Sequence, residues 1–176
     1  NKTLLIINAS GGVGSMALQF AHHVNLTTIA TASRPETIQW AKKFHANHII
    51  NHSDDLILQL RALGYDHVDY ILCLHDTNNH WEAMSELVAP LGSVCSLVTA
   101  TEPLDMSQFN DKIATFSYEY MFTKAQFNVA MKSQHDILQE VAQLVDDKIV
   151  ETTIYKTIEP INAENMKKAH QLLESQ

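Results

Sequence analysis

Apolar positions follow two periods along this chain. Thr3 to Asn8 ("TLLIIN") is a short continuous apolar run, the pattern of a strand buried on both faces of a parallel sheet. Met16, Ala17, Phe20, Ala21 and Val24 then recur at helical spacing, and Thr27 to Ala32 ("TTIATA") returns to β-branched residues. Ser33-Arg34-Pro35-Glu36 has the composition of a capping box with Pro near the first helical position, opening a helix through Phe44. Three further strands are predicted at His48 to Asn51, Val68 to Leu74 and Ser93 to Val98, with helical patterns over Asp54 to Leu63 and Asn78 to Val88 between them. Strand and helix alternating in this way need right-handed crossovers. They predict an α/β fold with a doubly wound parallel sheet between two helical layers.

Beyond residue 112 the period changes. Ala114, Phe116, Tyr118, Tyr120 and Phe122 alternate with Thr115, Ser117 and Glu119, which predicts an amphipathic edge strand over 113–122. Gln134 to Asp147 reads as a helix, "KIVETTIYKTI" as another β-branched stretch, and Asn162 as the cap of a last helix through Leu173. No internal repeat or long linker interrupts residues 1–176, which are expected to form one domain.

Three of the chain's five glycines fall between the first strand and the first helix. Ala9-Ser10-Gly11-Gly12-Val13-Gly14 fits G-x-G-x-x-G with Ala in the first place, inside a βαβ unit, where that motif cradles a dinucleotide pyrophosphate. Gly11 lets the backbone approach the phosphates, Gly14 lets helix pack on strand, and the first-turn N–H groups face the anion. The alternative is a glycine-rich turn with no ligand. At the end of the second strand, where an acidic residue would hold a ribose 2′-hydroxyl, Ala32 is followed by Ser33 and Arg34. A guanidinium in place of a carboxylate suits a 2′-phosphate, so NADP is expected in preference to NAD. Ser33 as a mere cap and Arg34 as a solvated side chain remain open.

Composition narrows the partners. With 45% apolar and 18% charged residues the chain is ordinary globular protein, and a net charge of −8 argues against nucleic acid or an anionic membrane as partner. No apolar run approaches the roughly 20 residues of a membrane span, so a cytoplasmic location is expected. Cys73 and Cys95 sit in apolar runs as core thiols. The ten histidines, among them His22-His23, His48/His52 and His75/His80, form no metal-ligand spacing, and zinc is not expected within this chain. His75-Asp76 at a strand end is open to catalytic, cofactor-lining or loop hydrogen-bonding roles.

"LLIINASGGVGSMALQFA", "HIINHSDD" and "FSYEYMFTKAQF", in this order and spacing, resemble the nucleotide-binding domain of the medium-chain dehydrogenase/reductase superfamily, best its quinone oxidoreductase branch with the zinc-type alcohol dehydrogenase-like proteins. The resemblance implies a Rossmann sheet with NADPH at the carboxyl ends of its strands. In the complete enzyme it implies hydride transfer to a quinone, enone or other small-molecule carbonyl. It implies that Gly11, Gly12, Val13 and Gly14 cradle the pyrophosphate and that Ser33 and Arg34 meet the 2′-phosphate. His52 stands where the family has a Tyr near the adenosine phosphate, while Leu74, His75, Val98 and Thr99 end strands that approach ribose and nicotinamide. It further implies a homodimer through strand 114–122, a GroES-like catalytic domain upstream that this segment lacks, and a final strand beyond its end. Catalytic residues are expected outside the segment. A non-catalytic dinucleotide-binding module is the alternative of a different class.

Overall fold

In the computed structural model, which describes residues 1–174, six parallel strands form a single sheet in the order β3-β2-β1-β4-β5-β6. The first half alternates β1 (Thr3–Ile7), α1 (Gly12–His23), β2 (Thr27–Thr31), α2 (Pro35–Lys43) and β3 (His48–Ile50). The chain then crosses the sheet through α3 (Leu56–Ala62) to β4 (Val68–Cys73) on the other side of β1, and continues through α4 (Thr77–Leu87), β5 (Val88–Ser96), α5 (Ser107–Lys112) and β6 (Thr115–Tyr118). The reversal of direction between β1 and β4 makes a topological switch point, where the strand ends open a crevice.

The three-layer arrangement follows from β1. Successive side chains point to opposite faces, and both faces are covered. Leu5 and Ile7 pack with Leu60, Ile71, Trp81, Met84 and Phe109 beneath α3, α4 and α5. Ile6 packs on the other face with Leu18, Ala41 and Phe44 of the α1–α2 layer. All three are at most 1% exposed, and burial of such a side chain stabilises by about 1.5–3 kcal/mol. Near the β6 edge, Trp81 stacks on Phe109 at 4.9 Å and meets the edge of Phe116 at 5.1 Å. Lys112 Nζ donates to the Ser85 and Glu86 carbonyls at 2.7 Å, satisfying acceptors at the C-terminus of α4.

Four expectations need correction. Ser33 does not cap α2: Arg34 occupies the cap position, Pro35 opens the helix, and the Thr37 hydroxyl accepts from Arg34 N at 3.2 Å and donates to Arg34 O at 2.9 Å. β5 begins at Val88 rather than Ser93, because Val88 pairs with Val68 before an irregularity at Ala89–Gly92. Leu91 there has φ 63°, and a Cβ on Gly92 would lie 2.8 Å from the Ala89 and Asp69 carbonyl oxygens. The edge strand ends at Tyr118, short of Phe122, because its partner β5 ends at Ser96 and Glu119 N takes the Ser96 carbonyl at 3.0 Å. Finally, 148–158 forms no strand. It runs as a strap held by Gln19, whose amide donates to Glu151 O at 3.2 Å and accepts from Glu151 N at 2.7 Å.

The C-terminal elements α6 (Thr123–Gln126), α7 (Met131–Asp146) and α8 (Ala163–Glu174) contain no buried residue, and Ile137, Leu138 and Leu173 are exposed. Asn162 caps α8 as expected, its Oδ1 accepting from Asn165 N at 2.8 Å. Among the described residues no helix is long and apolar enough to cross a membrane.

Candidate functional site

The turn from β1 to α1 leaves Asn8 at φ 65°, with its N–H donating to Thr31 Oγ1 at 2.9 Å, and Ala9 fully buried. Gly11 caps α1 with φ −71°, a conformation open to any residue. A Cβ there would meet Asn8 at 3.7 Å, an ordinary contact, and one on Gly12 would have nothing within 4 Å. The fold therefore does not require glycine at these two positions, and the space they leave faces outward. Gly14 differs: its Cβ would fall 2.5 Å from the Ala9 carbonyl oxygen, so the close approach of α1 to β1 demands glycine.

Among the described residues, the N–H groups of Gly12, Val13 and Gly14 find no acceptor in the chain, the first helical backbone bond being Ser15 N to Gly11 O at 2.9 Å. Ser15 Oγ also donates to Gly11 O at 2.7 Å and accepts from Trp40 Nε1 at 2.8 Å, tying the turn to α2. No acidic residue stands in the first turn of α1. Three such donors at the positive end of a helix dipole are an arrangement that favours an anion.

Beside it, a cleft of about 240 Å³ opens between the ends of β1, β3 and β4, lined by Ile7, Asn8, His52, Ser53, His75, Asn79 and His80. His52 and His75, both anticipated, lie on its exposed rim. Leu74 is partly buried against the α1–α2 layer and donates from its N–H to Ile7 O at 3.2 Å. Ser33 and Arg34 are exposed after β2, with Arg34 Nε 3.4 Å from Glu36 Oε1. Val98 and Thr99 do not line the cleft. They follow β5, where Thr77 Oγ1 hydrogen-bonds Ser96 Oγ at 2.6 Å and donates to Val98 O, fixing this loop to the first turn of α4.

Asp76 is engaged in the fold: at φ 36° it caps α4, accepting from Asn79 N at 3.0 Å. The Cys73 thiol donates to His75 O at 3.0 Å, and burial raises its pKa above the ordinary thiol value, so it stays protonated. Asn8, Ser53, Asn79 and His80 are cleft residues that the sequence reading did not single out. For His80 a signal was present, since it falls on the apolar face of α4 with Trp81 and Met84, where a polar side chain needs a reason.

The model of the family described as zinc-binding dehydrogenases matches residues 12–132. A zinc-type alcohol dehydrogenase-like protein of Staphylococcus aureus is 38% identical over 176 residues, covering 99% of this chain and 52% of that protein. A crystal structure described as a zinc-dependent alcohol dehydrogenase from Rhizobium etli superposes with a TM-score of 0.88 at 38% identity, over 98% of this chain and 51% of that one. The quinone oxidoreductase of Escherichia coli, solved in complex with NADPH, shares the fold with a TM-score of 0.75 at 19% identity, over 99% and 54% of the two chains. The chain spans about half the length of these proteins.

Proposed function

The chain belongs to the zinc-binding dehydrogenase family, and from that premise we propose that it is the cofactor-holding part of an NADPH-dependent oxidoreductase acting on a small quinone, enone or other carbonyl. The observation that carries the reading is the α1 turn: three N–H donors without acceptors among the described residues, beside two glycines whose missing side chains leave open space. The names of the relatives favour an enzyme over a non-catalytic module.

In this reading the backbone of Gly11, Gly12, Val13 and Gly14 binds the pyrophosphate, as preorganised donors that need no reorientation. Ser33 and Arg34 bind the 2′-phosphate. The exposed Arg34–Glu36 pair is worth about 0–1 kcal/mol, little enough for a phosphate to displace Glu36. His52 meets the adenosine phosphate, and Leu74 and His75, at the end of β4, approach the ribose. Val98 and Thr99, on a loop braced by Thr77 and Ser96, orient the nicotinamide half. The cofactor, once bound, supplies the hydride, and the protein's part is orientation and exclusion of water.

Two partnerships complete the proposal. The substrate binds between this domain and the rest of a longer chain, and two copies associate through the open edge of β6, where the sheet order leaves one side unpaired. A cytoplasmic location fits the cofactor. The family description names zinc, yet among the described residues no three His, Cys, Asp or Glu side chains converge as ligands, so these residues do not fit a zinc ion.

Gly11→Val tests the reading. It should leave the circular dichroism spectrum and melting temperature unchanged and abolish NADPH binding in a fluorescence titration, since the new side chain fills the phosphate space and nothing else. Unaltered affinity would sink the cradle.

A further inference from the structure

One hydrogen bond in the glycine turn is more than the helix needs. Gly11 O already accepts from Ser15 N at 2.9 Å, the backbone bond that opens α1, and it accepts a second time from Ser15 Oγ at 2.7 Å. A serine hydroxyl that bonds back to the carbonyl four residues earlier adds little to a helix and tends to bend it. Alanine, the strongest helix former, would serve α1 better at this position. Ser15 is nevertheless only 1% exposed, and its hydroxyl is held from another element, accepting from Trp40 Nε1 of α2 at 2.8 Å. With the indole N–H on its oxygen, the hydroxyl's own proton is left for Gly11 O. The indole is set in turn by T-shaped contacts with Phe44 at 4.9 Å and with Tyr155 of the 148–158 strap at 5.4 Å.

What the second bond restrains is a peptide plane. The Gly11 carbonyl and the Gly12 N–H belong to one planar trans unit and point to opposite sides of it. Two donors on the oxygen therefore fix the direction of the N–H, which faces away from the helix and has no acceptor among the described residues. The unit lies between two glycines, the residues whose backbone rotates most freely, and a Cβ at either position would meet nothing closer than 3.7 Å. Left to itself, this peptide would lose rotational freedom on binding an anion. Held in advance by Ser15, it has none of that freedom to lose.

We propose that Trp40 is a positioning residue for the glycine turn: through the Ser15 hydroxyl it locks the Gly11–Gly12 peptide with its N–H outward. Helix α2, which carries Arg34 at its cap, thereby also preorganises the pyrophosphate end of the site. This rests on the cofactor reading above and adds to it a residue that acts only through another.

The test titrates the wild type, Trp40→Phe, Ser15→Ala and the double variant with NADPH and with NADH. Trp40→Phe keeps an aromatic ring beside Phe44 and Tyr155 and removes the N–H donor. Each single variant should bind NADPH about fivefold more weakly, the worth of roughly one neutral hydrogen bond. The double variant should be no weaker than either single one, because both break the same relay. NADPH and NADH should weaken by the same factor, since the pyrophosphate is common to both. A substitution that merely loosened α2 would displace Arg34 and change the ratio of the two affinities. Melting curves check that each variant is folded, and if Trp40→Phe does not fold, Ser15→Ala decides alone. Unchanged NADPH affinity in Ser15→Ala, losses that add in the double variant, or a changed ratio overturns the assignment. If the wild type does not bind NADPH, the cofactor reading itself falls and takes the assignment with it.

Discussion

At the residue scale, neighbouring glycines do opposite work. Gly14 serves the fold, since a side chain there would collide with the Ala9 carbonyl at 2.5 Å, whereas Gly11 and Gly12 leave room that none of the described residues fills. Gly14→Ala is therefore expected to cost about 1–3 kcal/mol in urea denaturation by forcing α1 off β1, while Gly11→Ala should change stability by less than about 0.5 kcal/mol. His80 makes a pH prediction. Its folded pKa is lowered, so below an ordinary imidazole value of about 6.5 the unfolded chain takes up more protons than the folded one. The stability tied to this residue is complete above that value and declines as the pH falls from it toward the folded pKa. Urea midpoints at about pH 7.5 and about pH 5.5 should diverge less in His80→Asn than in the wild type. The glycine turn was legible in the sequence because its spacing is local. The cleft was not, since His52, His75 and His80 line it together only once the sheet has brought the carboxyl ends of β3 and β4, with β2 and β1 between them, and the start of α4 to one side.

Among the elements, those buried in the sheet matched their sequence patterns most closely. Val68–Cys73 and Thr3–Ile7 are apolar runs with neighbours on both sides, so burial and propensity agree. Residues 148–158 are equally β-branched yet form a strap, because the pleated partner that gives such residues their strand preference is absent and Gln19 takes the backbone of Glu151 instead. Gln19→Leu should release this strap: limited proteolysis should cut within 148–158 faster, with the sheet intact, and an unchanged digestion rate would count against the clasp. Thr77→Val removes the hydroxyl that joins Ser96 and Val98 to α4, and should lower stability by about 1–2 kcal/mol while weakening any ligand held by the β5 loop.

For the whole molecule, the strand order 3-2-1-4-5-6 brings the glycine turn and the cleft to the carboxyl ends of the strands beside one switch point, where the proposed dinucleotide would lie. The outward face of the C-terminal part is unfinished, with Tyr120, Phe122, Leu138 and Leu173 all exposed. Exposed apolar side chains in this number suit further association, and light scattering on the purified chain should report a dimer if β6 is its interface. A monomeric mass would contradict that arrangement. The central claim, a dinucleotide cradle tuned to a 2′-phosphate, meets its most direct test in calorimetric titration of the chain with NADPH and NADH side by side. Binding of NADPH at least about tenfold tighter than NADH, with the difference abolished by Arg34→Asp, is the predicted result. Equal affinities, or a preference that survives the substitution, would contradict it.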